Sequence, residues 1–399
     1  MKKTQQISIL TLGLAIFAML FGSGNIIFPI KAGAILGTKT VYGLIGFLIS
    51  GALLPIIGLV AMILFNGNLK LFFNRLGKIP AFLAVLFCMI VIGPFLCMPR
   101  CITVPYDMIS VFLPSYITLS VFSILFCLLT FLLTYKESKL LIILGKFIGP
   151  VKVFSLSYII IKGIWDIQYI TEPMLTPTAS PFSLFKDQLF QGFQTLDLLG
   201  TIFFAYIIVK ILHETMDAQQ WTEKKLAWIS LKGGLVGSFL LTIMYVGYNC
   251  LGAFYGYLVN PAMNGAQIFR VISLHIVGQY GAFIIITAAL MACLSTLAAL
   301  ATISAEYFKN EIFNQQLSYA SCLIITLLIT ATLSNFGLSN ILAYSAPLIN
   351  IGYPIIISIV TCNLAYKLFG FSWIKLPVGI TTILVLFFQL KPYLTAIWS

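Results

Sequence analysis

The sequence predicts an all-α polytopic membrane protein of about eleven transmembrane helices, ten of them in two inverted halves of five. Three observations carry this expectation. The chain is 60% hydrophobic and 9% charged, with a mean hydropathy of +1.05, whereas a soluble domain is about 25% charged and has no core large enough for this much apolar surface. The apolar residues fall into runs of spanning length separated by short basic gaps, which suits membrane orientation. A long polar connection follows the fifth run, and an odd number of helices per half forces the second half to insert upside down. The net charge of +12 is spread over those gaps, so it does not indicate nucleic acid.

In order, the expected spans are 7–35, 41–65, 80–112, 117–134 and 147–165, forming a first repeat within 1–165. Residues 166–191, with Pro173, Pro177 and Pro181, form an outer connection. Spans 192–212, 226–251, 280–307, 317–333 and 341–366 form the second repeat within 192–366, and a span at 376–390 sits in the C-terminal piece 367–399. Within the connection 252–279, the semi-apolar stretch 267–276 reads as a short helix lying over the site as a lid. Met1-Lys2-Lys3 precedes an apolar stretch too long for a cleavable signal, so a retained first helix is expected. Lys2, Lys3, Lys70, Arg75, Lys78, Lys136, Lys139, Lys146, Lys152, Lys210, Lys224, Lys225, Lys232, Lys309, Lys367 and Lys375 fall on the side of the N-terminus. Only Lys31, Lys39, Lys162, Lys186, Arg270 and Lys391 fall opposite, which places the N-terminus inside.

The first run is interrupted by Gly22-Ser23-Gly24-Asn25-Ile26-Ile27-Phe28-Pro29. Gly costs about 1 kcal/mol and Pro about 3 kcal/mol relative to Ala in a helix interior. Freed backbone groups in hydrocarbon must be satisfied by protein, water or a ligand, so a break belongs where it lines a cavity. Close helix packing through Gly22, Ser23 and Gly24 is the simpler alternative. The symmetry-related stretch Gln194-Thr195-Leu196-Asp197-Leu198-Leu199-Gly200-Thr201 opens the sixth span. Two broken helices offer N–H groups for a carboxylate and carbonyls for an ammonium or a metal ion, without a fixed charge. A zwitterionic amino acid matches them, with Phe21, Phe28, Phe203 and Phe204 as an apolar pocket.

Ser295 and Thr296 are adjacent hydroxyls in the eighth span. Bonds back to their own helix are the simpler reading; coordination of Na⁺ by hard oxygen ligands is the functional one. Asp197 is a carboxylate within the second break, and Arg100 and Asp107 lie seven apart on one helix face as an ion-pair or gate candidate. The eight cysteines have no metal-like spacing, and no phosphate loop, metalloprotease motif or nucleophile elbow occurs, so neither an enzyme nor a resident cofactor is expected.

Four stretches together resemble the branched-chain amino acid:cation symporters. They are Phe21-Gly22-Ser23-Gly24-Asn25-Ile26-Ile27-Phe28-Pro29, Gly93-Pro94-Phe95-Leu96-Cys97-Met98-Pro99-Arg100, Gln194-Thr195-Leu196-Asp197 and Ala292-Cys293-Leu294-Ser295-Thr296 with Ala305-Glu306-Tyr307-Phe308. The matches are collinear. The resemblance implies the leucine-transporter fold, a five-plus-five inverted repeat with broken first and sixth helices. It implies Na⁺-coupled, or alternatively H⁺-coupled, uptake of leucine, isoleucine and valine across a bacterial cytoplasmic membrane. It places the amino acid on Phe21, Gly22, Ser23, Gly24 and Asn25, and Na⁺ on the carbonyls of Ala18 and Phe21 with the hydroxyls of Ser295 and Thr296. Three features depart from the family pattern: Ala205 stands where a glycine is usual, Pro105 is extra, and the sequence ends after the eleventh span where the family has a twelfth. H⁺-coupled transport of other neutral amino acids and a non-pumping channel or sensor are the alternatives.

Overall fold

In the computed structural model, residues 8–136, 140–215 and 223–398 are described, and every regular element among them is a helix. Lys2, Lys3 and Lys139, three of the charges on which the expected orientation rests, lie outside the described residues. The first span is α1 (Ile9–Leu20) followed by α2 (Ser23–Leu36). The second is α3 (Thr40–Leu48) and α4 (Leu54–Leu64), joined through a π turn. A short α5 (Leu69–Asn74) leads to α6 (Lys78–Ile92) and α7 (Cys97–Ile109), then α8 (Leu119–Thr134). The fifth span is α9 (Leu140–Ile143), a π turn at Leu144–Ile148 and α10 (Gly149–Asp166). The second half runs α11 (Pro181–Phe193), α12 (Asp197–Thr215), α13 (Glu223–Phe254), α14 (Gly265–Val277), α15 (Ala282–Tyr307), α16 (Tyr319–Ser334) and α17 (Leu338–Phe369). An additional helix, α18 (Lys375–Trp398), follows.

The structure sharpens several boundaries. The first break is confined to Phe21 and Gly22; Pro29 lies within α2, because the missing N–H costs one ladder bond and the helix closes around it. The Pro29 carbonyl accepts a bond from Asn249 Nδ2 (3.3 Å). The third span, expected to be continuous, is interrupted at Gly93-Pro94-Phe95-Leu96. The connection expected through residue 191 is shorter, since Pro181–Phe193 is helical and forms the first piece of the sixth span. Ser180 caps it through a bond from the Ser183 amide (3.3 Å), with Pro181 at its first position. The fifth span begins at Leu140 rather than near 147.

Small residues decide how closely the helices approach, as expected where lipid supplies no hydrophobic drive for association. A Cβ on Gly33 of α2 would stand 1.9 Å from the Asn249 carbonyl of α13, and one on Gly252 would stand 2.1 Å from the Ile30 carbonyl. Gly145 and Gly149 bring the start of the fifth span against α1 in the same way, 2.3 Å from the Thr11 carbonyl and 2.9 Å from the Leu14 carbonyl. Gly46 of α3 meets the Phe185 carbonyl of α11 at 2.2 Å. The two broken spans are thus clamped by α3, α10 and α13.

Candidate functional site

The first break begins where α1 runs out. The Phe21 amide still bonds the Phe17 carbonyl (2.8 Å), but the backbone then extends through Gly22 at φ −114°, ψ −151°. Asn25, in the first turn of α2, bends its side chain back and accepts the Gly22 N–H at Oδ1 (2.8 Å). One otherwise orphaned donor of the helix start is thereby satisfied. The second break is Gln194-Thr195-Leu196, between α11 and α12. Leu196 takes φ +66°, a conformation uncommon outside glycine and costing on the order of 1–3 kcal/mol. The break therefore falls well before Ala205, which lies inside α12, and the absent glycine there plays no part in it.

Asn25 joins the two breaks. Its Nδ2 donates to Asp197 Oδ1 and Oδ2 (both 2.8 Å) and contacts the hydroxyl of Tyr245 on α13, and that hydroxyl also bonds Asp197 Oδ2. All three side chains are buried. Asn25 and Asp197 stand out in the sequence; Tyr245 does not, because a tyrosine in a long apolar helix carries no distinguishing signal. The cluster fixes α2 to α12 across the centre of the bundle.

Between the breaks lies a cavity of about 20 Å³ lined by Leu20, Gly22, Ser23, Gly24, Asn25 and Asp197, together with Phe204, Thr296 and Leu300. That is room for about one water-sized sphere, so a leucine side chain enters only if these walls separate. Phe204 is brought to this cavity as expected. Phe203 is not: it points the other way, into a cavity of about 860 Å³ with Phe73, Met89, Tyr206, Lys210 and Glu306. Consecutive helical residues diverge by about 100°, so the pair could not share one wall. Phe21 packs on Phe17 (5.2 Å between ring centres) and on Tyr245 and Tyr248. The larger cavity is also lined by Lys70 and Lys78 of the basic connection. Met89 and Ile303, on its wall, sit one turn from Ile92 and Leu300 on the small cavity's wall, a separation of about 4.5 Å along each helix. Lys210 and Glu306 form an ion pair in this vestibule.

Arg100 and Asp107 do not pair. Arg100 is fully buried, donates from Nη2 to the Gln194 carbonyl of the second break (2.9 Å) and sits near the Phe28 ring (5.3 Å). Asp107 instead holds α14: its Oδ2 accepts Asn264 Nδ2 (2.9 Å), and its carbonyl accepts Arg270 Nη1 (2.9 Å). Seven residues of helix separate the two by about 10 Å along the axis, and each finds a nearer partner.

The residues expected to hold Na⁺ divide into two arrangements. Thr296 Oγ1 donates to the Met19 carbonyl (2.8 Å), and Gly22 leaves no room for a Cβ beside it. Ser295 Oγ and the Ala18 carbonyl do face one point, and Lys152 Nζ of α10 occupies it, 3.0 Å from each and 3.5 Å from the Ala292 carbonyl. By sequence Lys152 counts among the charges at the inner helix ends; in the structure it is fully buried in the bundle. Gly145 and Gly149 cause the difference, because they bring α1 close enough for the side chain to reach Ala18. Its place between Val151 and Val153, one turn before Ser155 and Leu156, is the signal that could have marked it as intramembrane.

Two interrupted helices crossing at one small polar cavity, clamped by long helices of both halves, define a transporter of the leucine-transporter fold. Solved structures similar to the chain agree on that fold: the nucleobase-cation-symport-1 family transporter Mhp1 with bromovinylhydantoin bound (TM-score 0.61, 13% identity, covering 97% of this chain and 94% of that one) and MhsT in complex with L-phenylalanine (TM-score 0.58, 16% identity, 96% and 99%). The family model "Branched-chain amino acid transport protein" matches residues 5–396. The branched-chain amino acid permease BraB of Bacillus subtilis is 30% identical over 90% of this chain and 80% of its own, and BrnQ of the same organism is 30% identical over 92% and 83%. BrnQ of Escherichia coli K12 is 29% identical over 89% and 80%. The chain belongs to the branched-chain amino acid transport protein family, and these relatives are permeases rather than enzymes.

Proposed function

We propose that the chain is a cation-coupled symporter that imports leucine, isoleucine and valine across a bacterial cytoplasmic membrane by alternating access, with its N-terminus inside. The observation that carries this reading is the Asn25–Asp197–Tyr245 cluster, which ties the two breaks together beside the small cavity. The amino acid carboxylate would meet the free N–H groups that begin α2, and its amine the carbonyls that end α1. The side chain would spread Phe204, Ile92 and Leu300. The names of the related permeases support the branched-chain substrate class. A large cavity on the basic-connection side, set against a lid held by Asp107 on the other, supports passage by exposure to one side at a time.

Two readings of the coupling ion stand. Na⁺ is supported by the oxygen chemistry of Ala18 and Ser295; H⁺ is favoured by the position of Lys152 between them. Purified protein reconstituted in vesicles, given radiolabelled leucine and unlabelled competitors, tests the substrate assignment. Leucine, isoleucine and valine compete mutually at micromolar to low-millimolar concentrations, while lysine and glutamate do not. Uptake that never exceeds equilibration under any ion gradient refutes symport and leaves a channel or sensor.

A further inference from the structure

We infer that Arg100 receives the carboxylate of the substrate: when the small cavity widens to admit the amino acid, its guanidinium is the fixed positive charge that the carboxylate meets beside the start of α2. The inference rests on the symporter reading above and deepens it by naming a residue of the substrate site. The interruption at Gly93-Pro94-Phe95-Leu96 starts α7 at Cys97 and puts Arg100 in its first turn. Helical side chains lean toward the N-terminus of their helix, here toward Cys97, which lines the small cavity. Nη2 reaches the Gln194 carbonyl of the second break. A Cβ on Gly24 would stand 3.0 Å from Nη2 and 3.1 Å from the Thr195 Cα. The first turn of α2, the guanidinium and the second break therefore meet at one seam, with no side chain of Gly24 between them. Gly24, Cys97 and Thr195 all line the cavity, so the seam belongs to the wall that separates when leucine enters.

The guanidinium uses little of its bonding capacity within the protein. It carries five N–H donors and is always charged. Nη2 has the Gln194 carbonyl; Nε and Nη1 are buried and, among the described residues, have no hydrogen-bond partner. No ion pair among the described residues joins Arg100 to a carboxylate. Asp197 attracts it at longer range, but the Asp197 oxygens already accept from Asn25 and Tyr245. One bond to a carbonyl needs no charge, and a buried cation without its own anion is costly in a membrane bundle and marks a functional position. A carboxylate matches the planar fork of a guanidinium. It would face a full charge there in addition to the partial charge of the N–H groups that begin α2. A free anion such as chloride has the same sign; the carboxylate is the one that the substrate itself carries to this seam.

The test is equilibrium binding of radiolabelled leucine, and separately of radiolabelled leucinol, to purified full-length protein. Leucinol keeps the amine and the side chain and lacks the carboxylate. In Arg100→Gln the preference for leucine over leucinol is expected to fall about thirtyfold, with leucinol binding changed less than about threefold. A preference equal to that of the wild type overturns the inference, since a purely structural role would weaken both ligands alike. Leucine binding is expected to be equal in chloride and in a chloride-free sulfonate buffer. Binding that needs chloride in the wild type and not in Arg100→Gln gives the guanidinium to a free anion and overturns the carboxylate assignment. If the variant does not insert, the wild type labelled with ¹⁵N-arginine decides, because Arg100 is the fully buried one of three arginines. Its side-chain N–H signals are expected to move on saturation with leucine and to stay in place with leucinol; movement with both, or with neither, overturns the assignment. Absence of leucine binding by the wild type overturns the substrate reading and this inference with it, whereas leucine binding with an unchanged preference in Arg100→Gln overturns this inference alone.

Discussion

Replacing Asn25 by alanine removes the group on which both breaks converge, and its cost can be worked from the contacts. The substitution deletes the acceptor of the Gly22 N–H and both bonds to Asp197, while Tyr245 keeps its own bond to Asp197. Interhelical hydrogen bonds in membranes average about 0.6 kcal/mol, because partners are found elsewhere when the bond is broken. Two such bonds alone would give about 1.2 kcal/mol. The Gly22 amide lies at a helix break and bonds Asn25 Oδ1, and a buried donor left unmade costs about 1–3 kcal/mol. The stranded amide outweighs the two lost bonds, so the total is about 3 kcal/mol and leucine affinity falls on the order of a hundredfold. Equilibrium binding of radiolabelled leucine to purified protein reads this directly, with Tyr245→Phe alongside. That variant loses one hydroxyl, about 1 kcal/mol, and binds about fivefold more weakly. Because the two residues share Asp197, the double variant should lose less than the sum. Binding by Asn25→Ala within threefold of the wild type, or strict additivity in the double variant, would refute the claim that one cluster organises both breaks.

Other positions carry sharper but narrower expectations. Thr296→Ala removes the bond to the Met19 carbonyl, about 1 kcal/mol, so leucine binds about fivefold more weakly while the dependence on the coupling ion is unchanged; a changed ion dependence would return Thr296 to the ion site. Gly33→Leu forces α2 from α13, where even a Cβ stands 1.9 Å from the Asn249 carbonyl, and should cost several kcal/mol in the manner of overpacking; the readout is the thermal unfolding temperature of the detergent-solubilised protein, and a fall under about 3 °C contradicts so close an approach. Asp107→Ala frees Asn264 from its side-chain partner, so amide exchange across α14 should accelerate about tenfold with little change in α13; equal protection of the two would mean Asp107 does not hold α14.

Much of this protein can be read from the sequence because hydropathy is a sum along the chain. About twenty consecutive apolar residues leave a helix as the sole solution in lipid, so the spans, the short helix α14 and the family signatures needed no tertiary information. The break at Gly22 was equally legible, since glycine, serine, asparagine and proline within one apolar run are locally costly wherever they end up. Packing decided the rest. Pro29 returned to a helix and Leu196 took the second break, because each choice depended on what lay opposite. Phe203 and Phe204 parted company through helix rotation, which a run of apolar letters does not encode. Lys152 is the clearest case. In sequence it is one more basic residue near the inner end of a span, and only the approach of α1 over Gly145 and Gly149 places its ammonium against Ala18 and Ser295. A charge costs most where it is buried, and how deeply it is buried is a property of the assembled bundle rather than of the residue.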